Sequence, residues 1–142
     1  MKSDKIIKKL LKIAPDVFGG SKVLFAYLYG SIAVDQSHPF SDLDISIYAP
    51  QMSLRERLDL EMALALSIDR KLKDSPLSDV RIMNTLPLVL AGKIITEGTL
   101  IYFRDDNARI EYETSIRSAY FDFLPVIRNY QRTYLEQIQP SS

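Results

Sequence analysis

Val23-Leu-Phe-Ala-Tyr-Leu-Tyr-Gly-Ser31 decides the fold. An unbroken apolar and aromatic run from Val23 to Tyr29 reads as a strand buried on both faces. Gly30 directly behind it permits a tight turn. Further along, Leu43 to Ala49 alternates, with Leu43, Ile45, Ile47 and Ala49 on one side and Asp44, Ser46 and Tyr48 on the other. That is a half-buried strand. Asp79 to Asn84 reads as a third short strand and Thr99-Leu-Ile-Tyr-Phe103 as a fourth.

Helical periodicity fills the intervals. From Lys5 to Ala14, Ile6, Ile7, Leu10, Leu11 and Ala14 share one face and Lys5, Lys8, Lys9 and Lys12 the other. Ser53-x-x-Glu56 is a capping-box signature, opening a helix to about Lys73 with Leu54, Leu58, Met62, Ala65, Ile68 and Leu72 as its predicted inner stripe. Pro87 suits the first turn of a helix to about Ile95 that ends near Gly98. Asp105 to Ile138 is helical, with Ile116, Tyr120, Leu124, Ile127, Tyr134 and Ile138 as an apolar stripe. Pro125 removes one backbone donor there and predicts a kink or a division. The class is α/β (α+β): a small mixed β-sheet flanked by helices, with a C-terminal helical segment. At 142 residues the chain reads as one domain, residues 1–142, with its core at about 22–103 and its last helices at about 105–138.

Composition removes several chemistries. There is one His (His38), no Cys and no Trp, which excludes a disulfide scaffold, a thiolate or paired-histidine zinc site and a Cys–His nucleophile. Lys and Arg number 18, as do Asp and Glu, so the basic surplus expected of a nucleic-acid coat is missing, and no direct nucleic-acid binding is expected. A metal, where present, is a hard cation held by carboxylates. No signal peptide or membrane-length apolar run is visible, and the reading is a soluble, cytoplasmic protein without membrane contact.

Three features carry chemistry. Gly30-Ser31 allows backbone N–H groups and a hydroxyl to approach an anion, although strand-Gly-Ser turns are also common punctuation. Asp42-Leu43-Asp44 opens the alternating strand with two carboxylates on one face; alone, such a pair is more often a solvated strand edge. Asp79 opens the next strand, where a turn-entry Asp is equally common. Together, a phosphate-cradling turn and three carboxylates on neighbouring strand ends can hold two Mg²⁺ ions around a nucleoside triphosphate.

Gly30-Ser31, ten intervening residues and Asp42-x-Asp44, with Asp79 as third carboxylate, resembles the signature of the nucleotidyltransferase β superfamily from about Val23 to Asn84. The surroundings of Asp79, with Arg81 on its face, are less typical of that family. The tail, Arg109-Ile-Glu-Tyr112, Tyr120-Phe-Asp-Phe-Leu-Pro125 and Tyr130, is similar to the C-terminal helix of minimal nucleotidyltransferase (MNT) antitoxins paired with HEPN-domain RNase toxins, the type VII class. The resemblance implies a nucleotidyltransferase-like fold and an adenylyltransferase that moves AMP from ATP to a tyrosine of the toxin. Asp42, Asp44 and Asp79 would be the catalytic and Mg²⁺-binding residues, Asp79 also taking the tyrosine proton, and Gly30 and Ser31 would bind the β- and γ-phosphates. The alternatives are an antitoxin that works by binding and occluding its toxin, and transfer to a different acceptor.

Blander readings compete at other positions. Ser31 as a hydrolase nucleophile lacks a Gly-x-Ser-x-Gly elbow, and His38 beside Pro39 reads as a loop residue. The Lys5, Lys8, Lys9 and Lys12 stripe reads as a solvated helix face. Tyr112, Tyr120, Tyr130 and Tyr134 are most cheaply packing residues of the last helix. Arg55, Arg57, Lys71 and Lys73 could reach a triphosphate, with helix-surface charge as the default.

Overall fold

The computed structural model describes residues 2–30 and 43–138; Ser31, His38 and Asp42 lie outside them. In chain order the elements are α1 (Lys2–Gly19), β1 (Phe25–Tyr29), β2 (Leu43–Tyr48), α2 (Leu54–Lys71), β3 (Ser78–Ile82), α3 (Leu88–Glu97), β4 (Thr99–Phe103) and α4 (Asp106–Ile138). The strands form one mixed sheet in the order β3-β2-β1-β4. β1 runs antiparallel to both neighbours, whereas β2 and β3 are parallel. A parallel pair needs a crossover, and α2 supplies it.

Each sheet face has its own core. On one, Ala26, Leu28, Ile45, Ile47, Val80 and Ile101 pack against Leu10, Ala14 and Phe18 of α1 and Leu64 and Ile68 of α2. On the other, Phe25 and Tyr27 pack with Ile94 and Ile95 of α3, and Tyr112 and Ile116 of α4 join them. The β1–β4 register shifts between Ala26 and Tyr27, leaving Ile101 as the extra residue of a bulge. Ile101 and Tyr102 therefore both turn to the first core, while Leu100 stays with the second. Phe25 stacks on Tyr48 at 4.7 Å between ring centroids, and Tyr112 leans on both rings. Each such pair contributes about 0.5–1.5 kcal/mol beyond its buried area.

The continuous apolar run is the buried strand β1, with Phe25 to Leu28 all buried, and β4 has the predicted bounds. The capping box at Ser53 forms, and Gly98 caps α3, with Pro87 as N-cap residue just outside the first turn. The helices differ from expectation in five ways, the first being that Leu11, read as part of the apolar face of α1, is exposed. α1 runs past Ala14, through Pro15, to Gly19, because burial of Val17 and Phe18 outweighs the hydrogen bond Pro15 cannot donate. α2 buries Leu64 and Ile68, as well as its C-cap residue Leu72, and leaves Leu54, Leu58 and Met62 exposed, so the predicted stripe is correct only at its C-terminal end. α4 continues as one helix through the exposed Pro125 instead of dividing. Its stripe holds through Ile116, the buried Tyr120 and the half-buried Leu124 and Ile127, but Tyr134 is exposed, as is Tyr130.

α4 is fastened at two places. Gly92 of α3 leaves a slot occupied by the Tyr120 ring, which a Cβ on Gly92 would penetrate. Nearer its N-terminus, Glu113 accepts a hydrogen bond from the buried Tyr27 hydroxyl. Arg109 binds both carboxylate oxygens of Glu113, at 3.0 and 3.1 Å, and also Asp106.

Candidate nucleotidyl-transfer site

The second sheet face changes character along the strands. Register places Phe25 beside Tyr48 in one cross-sheet row, Tyr27, Ser46 and Arg81 in the next, and Tyr29, Asp44 and Asp79 in the last. The aromatic end lies beneath α3 and α4. The other end carries carboxylates.

Gly30 terminates β1 with φ +105°, a conformation that side chains with a Cβ rarely adopt. A Cβ there would lie 2.6 Å from Oδ2 of Asp44. Glycine at this position therefore does two things: it turns the chain and admits the Asp44 carboxylate against the strand end. Asp79 is the in-register partner of Asp44 on the adjacent parallel strand, about 4.8 Å away at the backbone. Paired residues of adjacent strands project to the same face, so both carboxylates share one sheet face, with Asp44 against Gly30. Ser31 and Asp42, the other two residues singled out in the sequence, lie outside the described residues.

Asp79 is half-exposed and ion-paired with Arg81, Nε to Oδ1 at 3.2 Å. The hydrogen bond to Asp79, followed by its charge, raises the Arg81 guanidinium pKa, and Glu61 and Asp44 add to the effect. Tyr29 completes the acidic row; its hydroxyl lies 3.5 Å from Oε2 of Glu97, the last residue of α3. Burial, reinforced by the Glu97 charge, pushes the Tyr29 phenol pKa up.

β3 is an edge strand, and its outward N–H groups need acceptors. α2 provides them. Asp69 accepts from the Ser78 N–H at 2.8 Å and from the Ser78 hydroxyl at 2.9 Å, and Glu61 accepts from the Ile82 N–H at 2.8 Å. These two acids clamp both ends of the strand that carries Asp79. They escaped the sequence reading, although acids eight residues apart, flanking Leu64 and Ile68 on one side of the helix, were the available signal.

The other candidate cations lie elsewhere. Arg57 lines a cavity of about 280 Å³ with Tyr48, Met52, Ile82 and Asn84, toward the far end of β2 from Asp44. Lys71 and Lys73 line a groove with Lys9 and Lys12 between α2 and α1, the helices packed on the opposite sheet face. Arg55 is exposed near the start of α2. Among the described residues no group of three or more His, Asp or Glu side chains forms a metal cage. Asp44 and Asp79, both partly exposed, offer carboxylate oxygens, a donor set that fits a hard divalent cation.

Solved structures share this fold. One chain of a mutant MntA–HpeT toxin–antitoxin complex superposes with a TM-score of 0.58 at 18% identity, covering 97% of this chain and 98% of that one. A toxin–antitoxin structure with AMP-PNP gives 0.58 at 19%, covering 93% and 97%. The complex of a tri-AMPylated Shewanella oneidensis HEPN toxin with its MNT antitoxin gives 0.55 at 19%, covering 91% and 98%. No curated protein sequence matches the chain. The polymerase beta nucleotidyltransferase family matches residues 7–107, from α1 to the start of α4, and so takes in Gly30, Asp44 and Asp79. The chain belongs to the polymerase beta nucleotidyltransferase family.

Proposed function

We propose that this protein is an MNT antitoxin that transfers AMP from ATP to a tyrosine hydroxyl of a HEPN-domain RNase toxin and so neutralises it. The observation that carries the reading is the in-register pair Asp44 and Asp79 beside the left-handed turn at Gly30. The fold shared with toxin–antitoxin structures, one with an ATP analogue and one with an AMPylated HEPN toxin, supports the choice of nucleotide and partner.

The tyrosine oxygen attacks the α-phosphorus, an O–P bond forms, the α–β anhydride breaks and pyrophosphate leaves. Asp42, Asp44 and Asp79 would hold two Mg²⁺ ions. Bound Mg²⁺ supplies the positive charge that offsets the triphosphate and makes a phenol of pKa about 10 nucleophilic near neutral pH. The backbone at Gly30 and the Ser31 hydroxyl bind the β- and γ-phosphates, and Asp79 accepts the phenolic proton.

The test is transfer of labelled AMP to the coexpressed toxin, with mass spectrometry to locate the added AMP. Wild type is expected to label a toxin tyrosine, and Asp42→Ala plus Asp44→Ala to abolish labelling. Equal labelling by both proteins refutes the reading. Full protection by the double variant at stoichiometric dose would assign neutralisation to occlusion instead. AMP on another molecule would reassign the acceptor.

A further inference from the structure

We infer that the cavity around Arg57 is a second ligand site, one that takes a carboxylate carried on a small apolar body. It opens near Tyr48, at the far end of β2 from Asp44 and roughly 13 Å along the strand, and is separate from the proposed transfer site.

The Arg57 guanidinium lacks a partner. Its Nε is shielded from solvent and makes no hydrogen bond. Buried donors left in this state are rare, because the water they lose on folding is not replaced. Among the described residues no acid forms an ion pair with Arg57. Glu61, the i,i+4 neighbour that could have done so, accepts from the Ile82 N–H at 2.8 Å instead. Glu56 closes the capping box at Ser53 and stands 3.8 Å from Nζ of Lys22. The walls are held in place without a ligand. Asn84 exchanges two hydrogen bonds with the backbone of Ala49, the Met83 N–H donates to Ile47 O at 2.8 Å, and the capping box fixes the start of α2. The lining selects the ligand. Arg57 is its one charge among the described residues; Tyr48, Met52 and Ile82 are largely apolar, and Asn84 and Thr85 are neutral. A single cation beside apolar walls suits a single negative charge on an apolar body, whereas a phosphate dianion would keep charge uncompensated. The guanidinium fork matches the two oxygens of a carboxylate. At about 280 Å³ the space lies at the small end for ligand cavities, so the acid is small. Two sources share this chemistry: a free small acid and an acidic residue of the bound toxin.

The probe is 4-fluorobenzoate, followed by fluorine NMR line broadening, with the neutral 4-fluorobenzamide as its control. Wild type is expected to bind the acid about tenfold or more tightly than the amide. Arg57→Met, which keeps the apolar stem, is expected to lose that preference, and Arg57→Lys, which keeps the charge but not the fork, to lose part of it. Failure of wild type to bind the acid overturns the proposal, and so does equal binding by wild type and Arg57→Met. Melting without ligand is an independent readout. Removing an unpaired, partly buried charge is expected to leave Arg57→Met at least as stable as wild type, whereas a clear fall in melting temperature would reveal a structural partner for the guanidinium and overturn the proposal. Repeating the titration on the complex with the toxin distinguishes the two sources. Unchanged binding of the probe supports a free acid, and displacement of the probe supports a carboxylate of the toxin.

Discussion

Substituting Gly30 by alanine would damage stability and the site at once, by separable amounts. A Cβ-bearing residue held at φ +105° costs about 1–3 kcal/mol. For a chain of this length that corresponds to roughly 3–12 °C of melting temperature. The new methyl would also sit 2.6 Å from Oδ2 of Asp44, against an ordinary contact of 3.4 Å or more, so the carboxylate must retreat by about 0.8 Å. This second effect falls on the site, through the displaced Asp44 carboxylate. Misplacing a reacting group by about 1 Å costs on the order of 100-fold in rate. Thermal denaturation and the proposed AMP transfer to the toxin measure the two effects. Gly20→Ala is the control, since a Cβ there meets nothing within 4 Å and the position carries no left-handed strain. Gly30→Ala with wild-type melting would refute the turn geometry. A protein that melts low but transfers AMP at the wild-type rate would refute the coupling of Gly30 to Asp44.

Other perturbations probe the supports of the site. Gly92→Ala would drive a methyl into the Tyr120 ring; overpacking of this kind costs about 1–3 kcal/mol, visible as a lower urea midpoint and faster proteolysis within α4. Asp69→Ala strips the acceptor from the Ser78 N–H and hydroxyl, with an expected loss of about 1.5–3 kcal/mol in urea denaturation; Asp69→Asn, which retains an acceptor, should lose less. Alkali is a third probe. Burial pushes the Tyr112 phenol up to about 12, and burial, with the Glu113 hydrogen bond and charge, raises Tyr27 as well. Both phenols hold their protons more tightly folded than unfolded, so their contribution is complete below about pH 10 and is lost as pH rises through about 12 and beyond. Phenolate absorbance should show both groups titrating late, and a urea midpoint constant from about pH 9 to about pH 12 would contradict the sign.

The strands were legible because their signals are local. An unbroken apolar run can only be covered on both sides, which identified β1. Alternation with period two assigns Asp44, Ser46 and Tyr48 to one face. Capping by Ser53 and Gly98 is likewise written in a few adjacent residues. α2 misled for a physical reason: Glu61 and Asp69 face the protein because edge N–H groups of β3 need acceptors, and hydropathy counts such acids as outward. The buried side is consequently rotated away from the Leu54–Leu58–Met62 line. Pro125 misled in the opposite sense, since a missing donor on an exposed helix flank costs little; α1 likewise runs on past Pro15 for the packing of Val17 and Phe18. At the site, the sequence put Asp79 near Asp44 by opening two predicted strands with them, and the family resemblance pointed the same way. The register pairing them is a property of the assembled sheet, as is the 3.2 Å approach of Arg81 to Asp79.

That register has a consequence for how the chain can change over time. The interval between Asp44 and Asp79 is set by the backbone ladder between β2 and β3, not by the packing of neighbouring side chains. Core residues such as Ile45 and Val80 can be exchanged for other apolar residues and leave the interval as it was. A slip of β3 by one residue, in contrast, would carry Asp79 into the apolar interior and bring Val80 out in its place. The site is in this sense digital: drift of the core sequence leaves it correct, and only a whole-residue error can undo it. The calibration is written into the hydrogen-bond geometry of the paired strands, not into any one core side chain.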